Sequence, residues 1–358
     1  MDWKNRLRHW YTHHKRDLPW RATNDPYKIW VSEIILQQTR VSQGLDYYYR
    51  FIDKYPDIQS LAETDEDSLM RVWQGLGYYS RARNMHRAAG QVVRDHGGRF
   101  PADMDSIRSL KGVGEYTSAA IASMAFNMPC PVIDGNVLRF ITRLYAIADP
   151  VHKSTTRAAI KRILDEHMDI QDPGLFNQAL MEFGALHCKH ARPECHTCPF
   201  QDDCLAFRTG RVSMFPVKAP KAPKRNRHFN YVVLLKKNNE GIWSLIRKRD
   251  QQDIWKGLYE FPMCETKAPA GLDRILESGL ITFDDADCRP IYESHAFRHL
   301  LTHQVILARF FVLQLKEMPP LTNAWKAVNL KSLGTYAFPR LIDRFLEEEL
   351  QEIEKKIK

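Results

Sequence analysis

The chain has no run long and apolar enough to cross a bilayer, which argues against a helical membrane anchor. Its opening residues, Met1-Asp2-Trp3-Lys4-Asn5, lack the apolar segment of a signal peptide, so a cytoplasmic location is expected. Cysteine is scarce, with seven in 358 residues, and four of the seven fall between 188 and 204. In a reducing compartment that clustering argues against a disulfide scaffold and for metal. Strand periodicity is missing from residue 1 to about residue 210. Acid is missing from Val212 to Arg227, which carries Pro216, Pro220 and Pro223 among Lys218, Lys221, Lys224, Arg225 and Arg227. Such a segment builds no core and is expected to run extended as a linker.

What is present is ample apolar content, 44%, in a length that suggests about two domains. The net charge of +9 favours a polyanionic partner. From Leu110 the chain reads Leu110-Lys111-Gly112-Val113-Gly114-Glu115-Tyr116-Thr117, with helical apolar patterns before it (Met104, Ile107) and after it (Ala120, Ile121, Met124). That predicts two helices joined by a tight glycine turn, in which Gly112 and Gly114 allow positive φ and close approach. Backbone N–H groups at the start of the second helix suit a phosphate. Downstream, Val132-Ile133-Asp134-Gly135-Asn136 places one carboxylate, Asp134, in an apolar and glycine setting. An ordinary αα-hairpin with a surface Asp fits this stretch as well.

Upstream, Asp2 to His14 has helical spacing, and Arg16 and Arg21 flank an exposed-looking Trp20, a composition that suits phosphate contact and stacking; a solvated basic loop with Trp20 packed inside fits equally well. Trp30 to Gln38 predicts a helix with Val31, Ile34 and Ile35 on one face and Glu33 at its border. A carboxyl beside Trp and Ile has a raised pKa and can serve as a general acid near neutral pH. A solvent-facing Glu is the plain alternative. Gln38, in the polar tip Gln37-Gln38-Thr39, and Tyr78, in Gly75-Leu76-Gly77-Tyr78-Tyr79, are candidates for insertion into a base stack, with Arg81 and Arg83 nearby. Further helices are expected at Thr156 to Met168 and Phe176 to His187, making this half all-α.

Cys188, Cys195, Cys198 and Cys204 are separated by six, two and five residues. Four thiolates in so compact a loop bind zinc or an iron–sulfur cluster. A single close pair rather than two tilts the reading toward a cubane.

On Leu36-Gln37-Gln38-Thr39, Gly75-Leu76-Gly77-Tyr78-Tyr79, the Gly112/Gly114 hairpin, Val132-Ile133-Asp134-Gly135-Asn136 and the four cysteines, residues 1 to about 210 resemble the helix-hairpin-helix DNA glycosylases related to endonuclease III, and most of all the MutY-type adenine DNA glycosylases. The resemblance implies a [4Fe–4S] cluster on the four cysteines and removal of adenine mispaired with 8-oxoguanine or guanine in double-stranded DNA. It implies Glu33 as the acid and Asp134 as the second carboxylate, with Asn136 orienting Asp134 or water and Tyr116 shielding the intermediate. Lys111 departs from the proline many relatives carry in the hairpin. Bifunctional relatives place a lysine where this chain has Tyr116, so a monofunctional enzyme is expected.

Beyond the linker the pattern changes to strands at Tyr231 to Lys236, Trp243 to Arg247 and Val305 to Leu313, with helices expected at Asp273 to Glu277 and Phe338 to Lys356. Trp255-Lys256-Gly257-Leu258-Tyr259-Glu260-Phe261-Pro262 resembles the Nudix fold, without the acidic helix that holds magnesium there. The resemblance to MutY-type C-terminal domains implies recognition of 8-oxoguanine, by Thr302 and His303 in Leu301-Thr302-His303, or by Phe297-Arg298-His299. The expected architecture is an all-α helix-hairpin-helix glycosylase domain with an iron–sulfur loop at 1–211, a basic linker at 212–228, and an α+β Nudix-like lesion-recognition domain at 229–358, in a monomer. A non-catalytic DNA-damage binder and a mismatch thymine glycosylase are the alternatives.

Overall fold

The computed structural model describes residues 3–219, 223–250, 252–280, 288–319 and 324–357. Helices follow one another first: α1 (Trp3–His14), α2 (Pro26–Leu36), α3 (Val41–Lys54), α4 (Ile58–Glu63), α5 (Glu66–Trp73), α6 (Ser80–His96), α7 (Met104–Ser109), α8 (Glu115–Phe126), α9 (Gly135–Leu144), α10 (Ser154–His167), α11 (Pro173–Leu186) and the short α12 (Leu205–Arg208). Among the described residues no strand precedes Arg225, and no helix is long and apolar enough to cross a membrane. The chain divides into two compact units, residues 1–63 with 84–220, and residues 64–83 with 221–358.

Aspartates start many of these helices. Asp25, Asp103, Asp134 and Asp172 each accept a backbone N–H from the first turn of α2, α7, α9 and α11, and Asp65 does so for α5. Such a cap contributes about 1 kcal/mol. Asp25 is followed by Pro26, whose missing N–H costs nothing at the first helical position. That pair starts α2 four residues before the position expected from apolar spacing. At the other end Gln38 has φ 60°, a left-handed backbone that stops the helix at Leu36 rather than at Gln38. The first unit's core joins Trp3, Leu7 and Trp10 of α1 to Phe140 of α9, Phe183 of α11 and Phe200. Trp20 is also inside, 7% exposed and edge-on to Tyr48, the packed one of the two placements its sequence context leaves open.

The second unit is built on a sheet of β1 (Arg225–Asn238), β2 (Gly241–Lys248), β3 (Tyr259–Glu260), β4 (Met263–Thr266), β5 (Cys288–Glu293), β6 (Phe297–Leu300), β7 (Gln304–Leu315) and β8 (Lys326–Asn329). The order is β3-β2-β1-β7-β5, with β4 also on β1, β6 on β7 and β8 on β2. β1 and β7 run parallel over eleven residue pairs, Arg225 beside Gln304 through Leu235 beside Gln314. Their two faces alternate between cores. Phe229, Tyr231, Val233 and Phe310 pack toward α14 (Arg340–Glu354), while Val232, Leu234, Phe311 and Leu313 pack toward the short α13 (Leu272–Leu276).

The acid-free stretch departs from an extended linker at both ends. Val212–Met214 is a 3₁₀ turn, residues 220–222 lie outside the described residues, and β1 already begins at Arg225. Its charges mislead because Arg227 donates to Asp253 and Glu265, 26 and 38 positions away, at 2.6–2.9 Å. That compensation lets a guanidinium sit inside a strand.

Candidate active site

One cleft of the first unit gathers residues from α2, α8, α9 and α11, among them Glu33, Gln38, Tyr116, Asp134, Asn136 and Glu182. Glu33 lies on the inner face of α2, 6% exposed. The Tyr116 hydroxyl, from the first turn of α8, donates to Glu33 Oε2 at 2.5 Å. Burial pushes the Glu33 carboxyl up to about 7, and the charge of Asp134 adds to the rise, while the Tyr116 hydrogen bond and Arg21 pull against it. Burial likewise raises Tyr116 well above its ordinary value, so this phenol is a proton donor, not a phenolate.

Asp134 caps α9. Its Oδ1 accepts the Val137 N–H at 2.7 Å and its Oδ2 accepts the Asn136 side-chain amide at 2.7 Å. Burial raises this carboxyl too, opposed by those two donors and by Arg139. Asn136 is held in turn, because Arg139 donates to its Oδ1 at 2.9 Å and to the Gly184 carbonyl at 2.6 Å. Gly184 is needed for this approach: a Cβ there would lie 2.7 Å from the Asn136 carbonyl oxygen.

The hairpin between α7 and α8 forms as expected, with one correction. Gly112 has φ 81°, and a Cβ on it would lie 2.7 Å from Asn84 Cβ, so glycine is required twice over. Gly114 has extended backbone, φ −96°, with open space around it, which other residues also adopt. The N-cap residue of α8 is Gly114, which has no side chain to cap the first-turn N–H groups.

Arg16 and Arg21 border the cleft but are engaged. Both donate to Glu182, at 2.6–2.9 Å, and Glu182 is 1% exposed. Burial alone would raise the Glu182 carboxyl, but Arg21 and Arg16 override it and hold it at about 2. In the second unit Tyr78, φ 48° and 51% exposed, shares a hydrogen bond of 2.7 Å with Thr302 Oγ1. Thr302 and His303 are exposed at the turn between β6 and β7. Phe297-Arg298-His299, the other candidate, is part of β6, and Phe297 is a core residue at 1% exposure.

Residues 31–166 match the HhH-GPD superfamily of base excision DNA repair proteins, and residues 230–348 match the NUDIX domain. The adenine DNA glycosylase of Buchnera aphidicola from Acyrthosiphon pisum is 31% identical over 346 residues, covering 94% of this chain and 95% of that one. The chain belongs to the adenine DNA glycosylase family. The mouse adenine DNA glycosylase is 42% identical over 226 residues, 60% of this chain and 44% of that one. In fold, the chain is similar to a thermostable thymine-DNA glycosylase, with TM-score 0.53 and 27% identity over 57% of this chain and 94% of that one. A non-covalent endonuclease III–DNA complex has a TM-score of 0.50 at 20% identity.

In this family member the four cysteines line one small cavity, walled by Phe140, Phe200 and Phe207. Among the described residues no group of three or more His, Cys, Asp or Glu side chains stands together around a single-ion position. The thiols are near enough to act on one another: burial, then the neighbouring cysteines, push Cys198 up to about 12. Donors face them as well, the Phe200 N–H to Cys198 Sγ and an Arg143 N–H to Cys188 Sγ, each at 3.4 Å. Four sulfurs in an apolar chamber with N–H donors are a set suited to an iron–sulfur group. Arg143, 3% exposed, also donates to the carbonyls of Cys188, Lys189, His190, Val212 and Phe215, knitting the loop to α9.

Glu182, Arg139 and Arg143 were missed by sequence reasoning. The spacing of Asn136, Arg139 and Arg143 on one helix was the available signal for the last two. Glu182 gave none, because its partners lie more than 160 positions away.

Proposed function

We propose that this protein hydrolyses the glycosidic bond of adenine mispaired with 8-oxoguanine or guanine in duplex DNA, acting as a monomer in the cytoplasm. The observation that carries the reading is the cleft's carboxyl pair: Glu33, lifted to about 7, near Asp134, which is gripped by two N–H donors. Adenine leaves poorly as an anion. Glu33 donates a proton to N7, the glycosidic bond weakens, and the sugar gains oxocarbenium character. Asp134, whose two donors favour its charged form, stabilises that cation or bonds to it transiently. Asn136, tethered by Arg139, fixes the orientation of Asp134, and Tyr116 covers the intermediate and holds Glu33 in place. With a phenol at 116 no Schiff base forms, so the enzyme is monofunctional.

The nucleotide must leave the stack to reach the cleft. The Gly112–Gly114 hairpin and the uncapped start of α8 take a backbone phosphate, Arg16 and Arg21 lend positive charge at the cleft wall, and Gln38 and Tyr78 fill the vacated space. Thr302 and His303 read the 8-oxoguanine, and the Tyr78–Thr302 hydrogen bond supports treating wedge and reader as one element. Residues 1–211 are the glycosylase domain and 229–358 the recognition domain, joined through the basic stretch 212–228. Cys188, Cys195, Cys198 and Cys204, which line one small apolar cavity with N–H donors facing them, hold a [4Fe–4S] cluster. When bound it supplies a fixed, charged scaffold for the loop; the reaction itself is carried by side chains.

The test is single-turnover base release by Glu33→Gln and Asp134→Asn. Each is expected to lose at least about a hundredfold in rate, the low end for a positioned acid or base. Adenine release at wild-type rate by either variant removes this mechanism.

A further inference from the structure

On the outer face of α6, Arg87, Gly90, Gln91 and Arg94 line an open groove with His86 and with Lys111 from the hairpin turn. Arg87, Arg94 and Lys111 are exposed, and among the described residues no acidic side chain lines the groove. Arg87 and Arg94 are seven residues apart on the helix, two turns and about 10 Å. Gly90 sits between them in the interior of a seventeen-residue helix, where glycine is the poorer choice by propensity. The Arg94 guanidinium lies over it, its Nη1 2.9 Å from where a Cβ at 90 would fall. The Lys111 N–H donates to Gln91 Oε1 at 2.8 Å, pinning the hairpin turn beside this row.

We infer that this groove is a second backbone-phosphate site for duplex DNA, continuing the phosphate track beyond the hairpin and away from the reactive cleft. The groove offers point charges and no aromatic platform, so it binds phosphate and reads no sequence. Its role is to lengthen the footprint of the enzyme on DNA. The inference rests on DNA being the partner, and is independent of which base is removed.

The experiment is equilibrium binding of an uncleavable duplex against salt concentration, with one long duplex and one trimmed to the base pairs around the mispair. Each lost phosphate contact lowers the slope of log K against log salt by about 0.9. Arg87→Gln/Arg94→Gln is expected to reduce the slope by about 1.8 on the long duplex and to leave it unchanged on the short one. Base release at saturating enzyme stays at the wild-type rate, and Arg87→Lys/Arg94→Lys restores the slope. An unchanged slope on the long duplex overturns the inference. So does weakened binding of inorganic phosphate with DNA binding intact, which assigns the groove to a free anion. Should the double glutamine variant fail to fold, each single variant, Arg87→Gln or Arg94→Gln, removes one charge from the groove. A slope lowered by about 0.9 then supports the site, and an unchanged slope overturns it. No base release by the wild-type protein, with the slope behaving as expected, would count against the glycosylase reading and not against this site; base release lost only in the glutamine variant overturns the inference.

Discussion

Replacing Glu33 by Gln should make the protein more stable, and by an amount that depends on pH. In the folded protein the Glu33 carboxyl stands at about 7, against an ordinary value of 4.5. Between those two values the folded state holds a proton that the unfolded state releases. Stability is therefore fully present below about pH 4.5 and is lost as pH rises toward about 7. A displacement of that size is worth about 3 kcal/mol, to be read as an order of magnitude. Gln keeps the shape and still accepts the Tyr116 hydrogen bond, but it never ionises. Urea unfolding of wild type and Glu33→Gln across pH should thus give curves that run together in acid. They should separate by about 1.4 kcal/mol per pH unit through the intermediate range and plateau about 3 kcal/mol apart above neutrality. The same carboxyl sets the catalytic profile. Single-turnover base release by wild type should fall about tenfold per pH unit above about pH 7. A difference in stability that does not vary with pH, or a rate that stays level to about pH 9, would refute the placement of a protonated carboxyl in the cleft.

Glu182→Ala strips the shared partner from Arg16 and Arg21 and should cost about 3–5 kcal/mol in urea unfolding, because two guanidiniums are left beside an apolar wall. Thr302→Ala removes the hydroxyl that meets Tyr78 and should narrow the preference for 8-oxoguanine over guanine opposite adenine by about fivefold, about one hydrogen bond; unchanged ratios of single-turnover rates would count against the loop. Borohydride added during turnover should trap no adduct that depends on a single lysine, since residue 116 is a phenol; gel mobility of the labelled duplex reads this out.

The helices were legible because apolar spacing survives in the sequence, and so were the local signs of a site: Glu33 on the edge of an apolar face, the Gly112 turn, Asp134 just before a helix, four close cysteines. What the sequence hides is pairing at a distance. Nothing near Glu33 announces Tyr116, 83 positions on, whose hydroxyl limits the rise of its pKa. Trp20 between two arginines looks exposed, yet it packs edge-on to Tyr48 while Glu182 gathers both guanidiniums. Arg227 looks like linker until Asp253 and Glu265 neutralise it inside β1. In the last two cases a charge was read as a solvent signal when a remote carboxylate had already claimed it.

The account is tested most directly by incubating the protein with duplexes that each carry one mispair and identifying the freed base by chromatography. Free adenine, released from 8-oxoguanine:adenine and more slowly from guanine:adenine with the DNA backbone left intact, is the result predicted. Release of thymine from guanine:thymine, or tight binding to the lesion with no base released, would contradict it.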